Sequence, residues 1–178
     1  MINIILAGNL GDKKLLKTLN KILPFYHSVA SDSSAGFSFP DSPDILLLNC
    51  SHIVNVSAPN SIIIFKESFS SKNKLGNISG CYAVAPSENN FALSVLSGKG
   101  LSSVTCGLSE KDTVTFSSFT DNSAVVSLQR ELLNMFGTPI FPCDITVKFS
   151  SPPDRFSLLA ACTALLLTTK FPPSSISV

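Results

Sequence analysis

Ile2-Asn3-Ile4-Ile5-Leu6-Ala7-Gly8-Asn9-Leu10-Gly11-Asp12 is a nearly continuous apolar run that turns at two glycines and then meets an acid. An apolar run of this length, stopped by glycine, reads as a strand buried on both faces. Beyond it, Leu15, Leu16, Leu19, Ile22 and Leu23 recur at helical spacing, and Pro24 ends the pattern. Asp12 suits the first turn of that helix, where a negative charge meets the positive end of the peptide dipoles. Strand, glycine turn and helix together open an α/β unit.

Further along, Asp44 to Asn49, Ser61 to Phe65, Cys81 to Ala85 and Leu101 to Cys106 are short apolar runs of the same kind. Ser28 to Pro43 is rich in Ser, Asp, Gly and Pro and reads as loop. Ser68 to Gly80 reads as polar loop or a short helix. Ser87 is expected to cap a helix running to Leu96, with Gly98 as its stop. The pattern then changes. Asp112 to Ser118 and Ala124 to Leu128 flank the turn Thr120-Asp121-Asn122, and Thr138 to Phe149 adds a strand broken at Pro142. Gln129 to Phe136 fits a strand or a short helix. Pro152-Pro153-Asp154 starts a final apolar helix through Leu166, closed by Pro172-Pro173. The expected fold is α/β, in three layers. A mostly parallel sheet of P-loop or Rossmann-like type has helices on both faces, with an added antiparallel β unit near the C-terminal third. No repeat or boundary divides residues 1–178, so one domain is expected.

Bulk properties narrow the function classes. Apolar residues make up 44% of the 178 and charged residues 14%, with a net charge of +1. That leaves no electrostatic footprint for nucleic acid or an acidic membrane surface. The apolar run Leu158 to Leu167 is too short for a bilayer, which needs about 20 residues. Met1 to Ala7 lacks the basic flank of a signal peptide. The five cysteines show no CxxC pair and sit mostly in apolar runs, the pattern of buried reduced thiols. A cytoplasmic protein is the expectation.

A glycine turn between a first strand and a first helix is a natural phosphate site, because backbone N–H groups and the helix dipole converge there. A Walker loop adds a lysine after its last glycine and then Ser or Thr for magnesium. Here Asp12 and Lys13 hold those places, and a carboxylate repels phosphate. The candidate ligand residues are therefore Gly8, Asn9, Leu10, Gly11, Asp12 and Lys13, set against a plain strand-to-helix turn. Ser97-Gly98-Lys99-Gly100 follows a helix rather than a strand, the wrong context for a phosphate loop. Of the two histidines, His52 is the better placed, beside Ser51 at the carboxyl end of a strand, where ligands sit in such sheets. No GxSxG elbow and no metal-ligand spacing are present.

Taken in order, these segments resemble the central, ATP-binding domain of the Mur ligases, which join amino acids to cell-wall precursors. Gly8-Asn9-Leu10-Gly11-Asp12-Lys13 falls where that family has Gly-Thr-Asn-Gly-Lys-Thr. Asp44-Ile45-Leu46-Leu47-Leu48-Asn49-Cys50-Ser51-His52 is similar to its strand ending in Glu-x-Ser-Ser-His. The segment from Ala85 to Leu93 resembles the one written Asn-x-Asp-Asp-Pro. Val104-Thr105-Cys106-Gly107, followed by Asp112, is similar to the next strand and its Phe-Gly turn. Ser157-Leu158-Leu159-Ala160-Ala161 resembles the Asn-Ala-Leu-Ala-Ala helix. The resemblance implies the fold and places Asn49, Ser51, His52 and Ser157 around the site. It also implies that the phosphate-binding lysine is replaced by Asp12, the magnesium-binding Thr by Lys13, the magnesium-binding Glu by Asn49 and the base-contacting Asn by Ser157. Losing the lysine and both metal groups removes the electrostatic stabilisation that phosphoryl transfer depends on. The expectation is a degenerate P-loop and a pseudoenzyme: a non-catalytic binding or interaction module without catalytic residue, metal or cofactor. Its partner is an unidentified protein or a second copy. The alternative is a nucleotide-binding, ligase-related enzyme with an altered loop, using ATP and magnesium.

Overall fold

The computed structural model of the chain describes residues 1–33, 36–38, 40–57 and 60–178. The first strand, β1 (Ile2–Ala7), leads through the glycine turn into helix α1 (Lys14–Ile22). Then come β2 (Val29–Ser33), β3 (Gly36–Ser38), β4 (Ile45–Cys50), β5 (His52–Ser57), β6 (Ser61–Phe65), β7 (Lys74–Ser79) and β8 (Tyr82–Pro86). Helix α2 (Asn90–Ser97) precedes β9 (Ser102–Cys106), β10 (Val114–Phe119), β11 (Ser123–Leu128), β12 (Leu132–Leu133), β13 (Pro139–Ile140) and β14 (Cys143–Lys148). Helix α3 (Arg155–Thr168) and β15 (Ser175–Ser177) complete the chain.

Among the described residues, eleven strands form one sheet in the order β15-β14-β11-β10-β9-β8-β6-β1-β4-β2-β3. β1 lies at its centre, parallel to β4 on one side and β6 on the other. Its pleat sends Ile4 and Leu6 into the core under α1 and α3, and Ile5 and Ala7 into the core on the opposite face. That two-sided burial is why the sequence here is continuously apolar. Past β10 the pairing becomes antiparallel through β11 to β14, and one face changes character. Val126, Ile145 and Val147 join the core. On the other side of the same strands, Ser117, Ser127 and Asp144 are linked by side-chain hydrogen bonds.

The expected α/β class, mostly parallel sheet and antiparallel addition are all present, with three differences. The second covering layer is only half helical. Besides α2 it contains a parallel two-stranded ribbon of β5 and β7, which contributes Ile53 and Ile78 to the core. The sequence of β7 reads as polar loop or short helix. Alternation is weak there, because Leu75 and Ile78 fall among Lys, Gly and Asn. The segment read as loop from Ser28 to Pro43 carries β2 and β3, which pair with β4 and with each other; residues 34, 35 and 39 of that segment lie outside the described residues. Gln129 to Phe136 is not a helix. It holds β12 and a turn in which Asn134 Oδ1 accepts the N–H groups of Phe136 and Thr138, both at 2.9 Å.

Helix boundaries also moved for identifiable reasons. α1 begins at Lys14, so Asp12 precedes the helix instead of sitting in its first turn. Pro24 does not stop the chain's coiling: a 3-10 turn, Leu23–Phe25, continues past it. The cap of α2 is Asn89, whose Oδ1 accepts from Ala92 N at 3.0 Å, while Ser87 Oγ donates to Asp112. α3 is the central helix. Phe156 to Thr168 is buried throughout, against the sheet and α1. A helix apolar all round must be covered on all sides, so truncating one of its leucines to alanine costs about 2–5 kcal/mol. Its hydroxyls turn back onto its own backbone: Thr163 to Leu159 O and Thr168 to Ala164 O, both at 2.8 Å.

Candidate functional site

At the carboxyl edge of the sheet, β1 delivers Gly8 beside the end of β6. Gly8 has φ +152, a region L side chains rarely adopt. An added Cβ would come within 2.9 Å of Lys66 Cβ. The glycine is therefore required by the close passage of a lysine stem. That lysine follows the all-buried strand β6 and is itself 1% exposed.

Lys66 Nζ donates to Asn9 O at 2.8 Å, Asp12 O at 2.7 Å and Asn49 Oδ1 at 2.7 Å. Three acceptors need three hydrogens, so the group sits there as an ammonium. Burial pushes its pKa below the ordinary lysine value, and the Asp12 carboxylate pulls it partly back. The loop bearing Lys66 is clamped by Asn89, whose Nδ2 donates to Phe69 O at 2.8 Å and Glu67 O at 3.3 Å.

Four N–H groups of the turn, those of Gly8, Asn9, Gly11 and Asp12, are used within the protein. Gly8 N donates to Cys50 O at 3.0 Å, and Asp12 N to Asn9 O at 3.1 Å. Asn9 N donates to Ser68 Oγ at 3.2 Å, and Gly11 N to Asn9 Oδ1 at 2.9 Å. Ser68 Oγ in turn donates to Asp12 Oδ2 at 2.8 Å. Lys14 N approaches Asp12 Oδ1 at 3.4 Å. Asp12 thus sits at the start of α1, its carboxylate held by Ser68 and close to Lys14 N. Leu10 is about half exposed and Lys13 is exposed.

Of the outlying candidates, the structure brings Asn49 to this cluster, through Lys66. His52 instead begins β5 in the covering ribbon, its Nδ1 2.9 Å from Ser51 Oγ. Ser157 is buried in the first turn of α3. Its hydroxyl and N–H both donate to Asp154 Oδ2, at 2.8 and 3.1 Å. Asp154 is the N-cap of α3 and also takes Lys14 Nζ at 2.9 Å, tying the two helix starts together. Burial pushes the Asp154 carboxyl up, but Lys14 and the Ser157 hydrogen bonds more than reverse this, leaving it below the ordinary aspartate value. Hydrogen bonding to Asp154 raises Lys14 in return.

Beside α3 the edge opens into a cleft of about 130 Å³ lined by Glu67, Pro86, Cys106, Gly107, Arg155 and Phe156 among others. A side chain at Gly107 would collide with Ser87 Oγ and Asp112 Oδ2, so only glycine fits that wall. Asp112 is buried and accepts from Ser87 Oγ at 3.1 Å and Ser109 N at 3.0 Å. Arg155 lies 5.0 Å over the Phe119 ring. Burial, then repulsion from Asp154, raises the Glu67 carboxyl. The Cys106 thiol is pushed up to about 12 by burial, which leaves it protonated and unreactive. Among the described residues, no group of three or more His, Cys, Asp or Glu could hold a metal ion. None of their helices is long and apolar enough to cross a membrane.

The sequence does not point to Lys66 or Ser68 as site residues, and it marks Asp154 only as the start of a helix. Lys66 did carry a signal, a charge placed directly after the wholly apolar run Ser61 to Phe65. Its meaning depends on β6 lying next to β1, a pairing between segments about sixty residues apart.

No family model and no curated protein matches the sequence. Solved structures match through the fold. A UDP-N-acetylmuramoyl-L-alanyl-D-glutamate--2,6-diaminopimelate ligase aligns with a TM-score of 0.56 at 10% identity, over 92% of this chain and 42% of that one. The UDP-N-acetylmuramoylalanyl-D-glutamyl-2,6-diaminopimelate--D-alanyl-D-alanyl ligase of Acinetobacter baumannii gives 0.57 at 11% identity, over 94% and 43%. The MurF ligase of Thermotoga maritima, in complex with ADP, gives 0.53 at 12% identity, over 93% and 45%. The chain spans less than half the length of these ligases. What it shares with them at such identities is the fold, so this is an α/β domain with the fold found in Mur ligases.

Proposed function

We propose that this domain is a non-catalytic, Mur-ligase-like binding or interaction module whose glycine turn holds no nucleotide. The observation that carries the reading is the Lys66 ammonium bonded to Asn9 O, Asp12 O and Asn49 Oδ1. A phosphate-binding loop offers N–H groups and a lysine to an anion. Here the lysine is spent on oxygens of the turn itself, and Asp12 places a carboxylate where the anion would sit. Buried thiols at Cys81, Cys106 and Cys162 fit a reducing compartment, and the cytoplasm is the proposed site of action.

Calorimetry and thermal shift with ATP and ADP, with and without magnesium, test this directly. No heat of binding and no shift are expected. Magnesium-dependent binding in the micromolar range would overturn the reading in favour of an enzyme with an altered loop. That alternative needs Lys13 or Lys14 to reach a phosphate, and Lys14 is already paired with Asp154. It would be supported only if Lys13→Ala abolished the binding so detected.

A further inference from the structure

We propose that the exposed aromatic corner built from Leu133, Phe136, Phe141 and Phe171 is the interface of a two-fold homodimer. These side chains are 51%, 50%, 65% and 88% exposed. They form one surface. Leu133 pairs with Pro139 across β12 and β13, and Pro139 lines the same groove as Phe141 and Phe171. Lys170 Nζ, on the rim of that groove, lies 5.8 Å over the Phe136 ring. The corner lies beyond the end of α3 and the start of β14, far along the chain from the glycine turn, and is independent of it.

Area, shape and charge each point to a second copy as the occupant. A fully buried aromatic ring removes about 150–250 Å² from water, so at these exposures the four side chains offer roughly 500 Å² per copy. Two copies reach about 1,000 Å², the threshold of a specific interface. A contiguous apolar patch this large lies at the upper end for a monomer. The groove, about 420 Å³, is open enough for a phenyl ring, and Phe171 is the most exposed large hydrophobic residue beside it. In the proposed dimer each Phe171 enters the groove of the other copy, a reciprocal contact of the kind an isologous interface makes. The groove also carries both Lys170 and Asp144. In the proposed dimer Lys170 of one copy faces Asp144 of the other, so that the groove is matched in charge by its own copy.

Sedimentation velocity over a dilution series of the full chain tests this. A concentration-dependent monomer–dimer equilibrium is expected. Phe171→Asp and Phe141→Asp should each raise the dimer dissociation constant about tenfold or more. Both side chains face solvent, so the far-ultraviolet circular dichroism spectrum should not change. Lys170→Glu should weaken the dimer, because it sets a like charge against Asp144. A wild-type chain that stays monomeric up to about 100 µM overturns the proposal. So does a dimer that Phe171→Asp leaves intact, or a monomer whose corner is covered only by an added lipid vesicle or another protein.

Discussion

Helices α1 and α3 start on the same edge of the sheet, and both present their positive ends to a carboxylate of the chain itself, yet they are built in opposite ways. At α1 the N-cap position is Lys13, with no side-chain cap. Its turn is instead held by residues distant in sequence, Ser68 and the Lys66 ammonium. At α3 the work is local: Asp154 caps the helix and bonds Ser157 three residues on. The first start is closed over, and the second leaves an open cleft at Arg155. A helix start becomes an anion site only when its N–H groups are left for a ligand. Here Lys14 N approaches Asp12 at the first start, and Ser157 N is capped by Asp154 at the second.

The comparison is most exposed at Lys66. Lys66→Met keeps the apolar stem and removes the charge, leaving Asn9 O, Asp12 O and Asn49 Oδ1 without their donor in a half-closed site. A loss of about 3 kcal/mol is expected, read as a shift in urea midpoint at constant slope. A loss below about 1 kcal/mol would mean that the ammonium does not hold the turn. Gly8→Ala attacks the same anchor from the other side, combining backbone strain at positive φ with a clash against the lysine stem. Roughly 2 kcal/mol is expected. Equal stability of Gly8→Ala and wild type would show that stem and turn do not meet as described.

How legible these two starts were in the sequence follows from the range of their contacts. Asp154 after Pro152-Pro153 could be read as opening a helix, because caps act within three or four residues. β1, β6 and the core of α3 were equally plain, since two-sided burial leaves uninterrupted apolar runs. The turn at Gly8 was visible as a turn, and Asp12 as wrong for phosphate. What holds the turn was not visible, because Lys66 and Ser68 arrive through the β1–β6 pairing. The ribbon of β5 and β7 was missed for a related reason. Among the described side chains it buries Ile53 and Ile78, with Val56 and Leu75 partly buried beside them, and in β7 these apolar positions fall among Lys, Gly and Asn.

Smaller effects are expected at the local start. Asp154→Ala removes the cap of α3 and the partner of Lys14, and about 1 kcal/mol should be lost. The variant should also be less sensitive to acid. The wild-type carboxyl titrates below its ordinary value, so its contribution is complete above about pH 4 and is lost as pH falls through the folded-state pKa. Acid unfolding curves that superpose for variant and wild type would remove Asp154 as the device that fixes this end.

The far ends of the same two helices give the finest test of whether the edge is special. There His27, just past the 3-10 turn after α1, meets Thr168 in the last turn of α3, with Nε2 at 3.2 Å from Oγ1. Thr168 already donates its hydroxyl proton to Ala164 O, so its oxygen accepts from His27 Nε2–H. Burial lowers the His27 pKa, and Asp44 offsets this only in part. The folded state therefore disfavours the imidazolium. Its stabilising contribution is complete above the ordinary histidine value and declines as pH falls toward the lowered one. Between about pH 7 and pH 5, wild-type stability should fall slightly, while His27→Gln, which keeps an N–H donor for Thr168, should be flat. Parallel curves for the two proteins would mean that the far contact does not titrate with folding. A slope that depends on His27 and is unchanged in Asp154→Ala over the same range would show that the two ends of the α1–α3 layer are tied separately, by the Lys14–Asp154 ion pair at the edge and by the His27–Thr168 hydrogen bond at the far end.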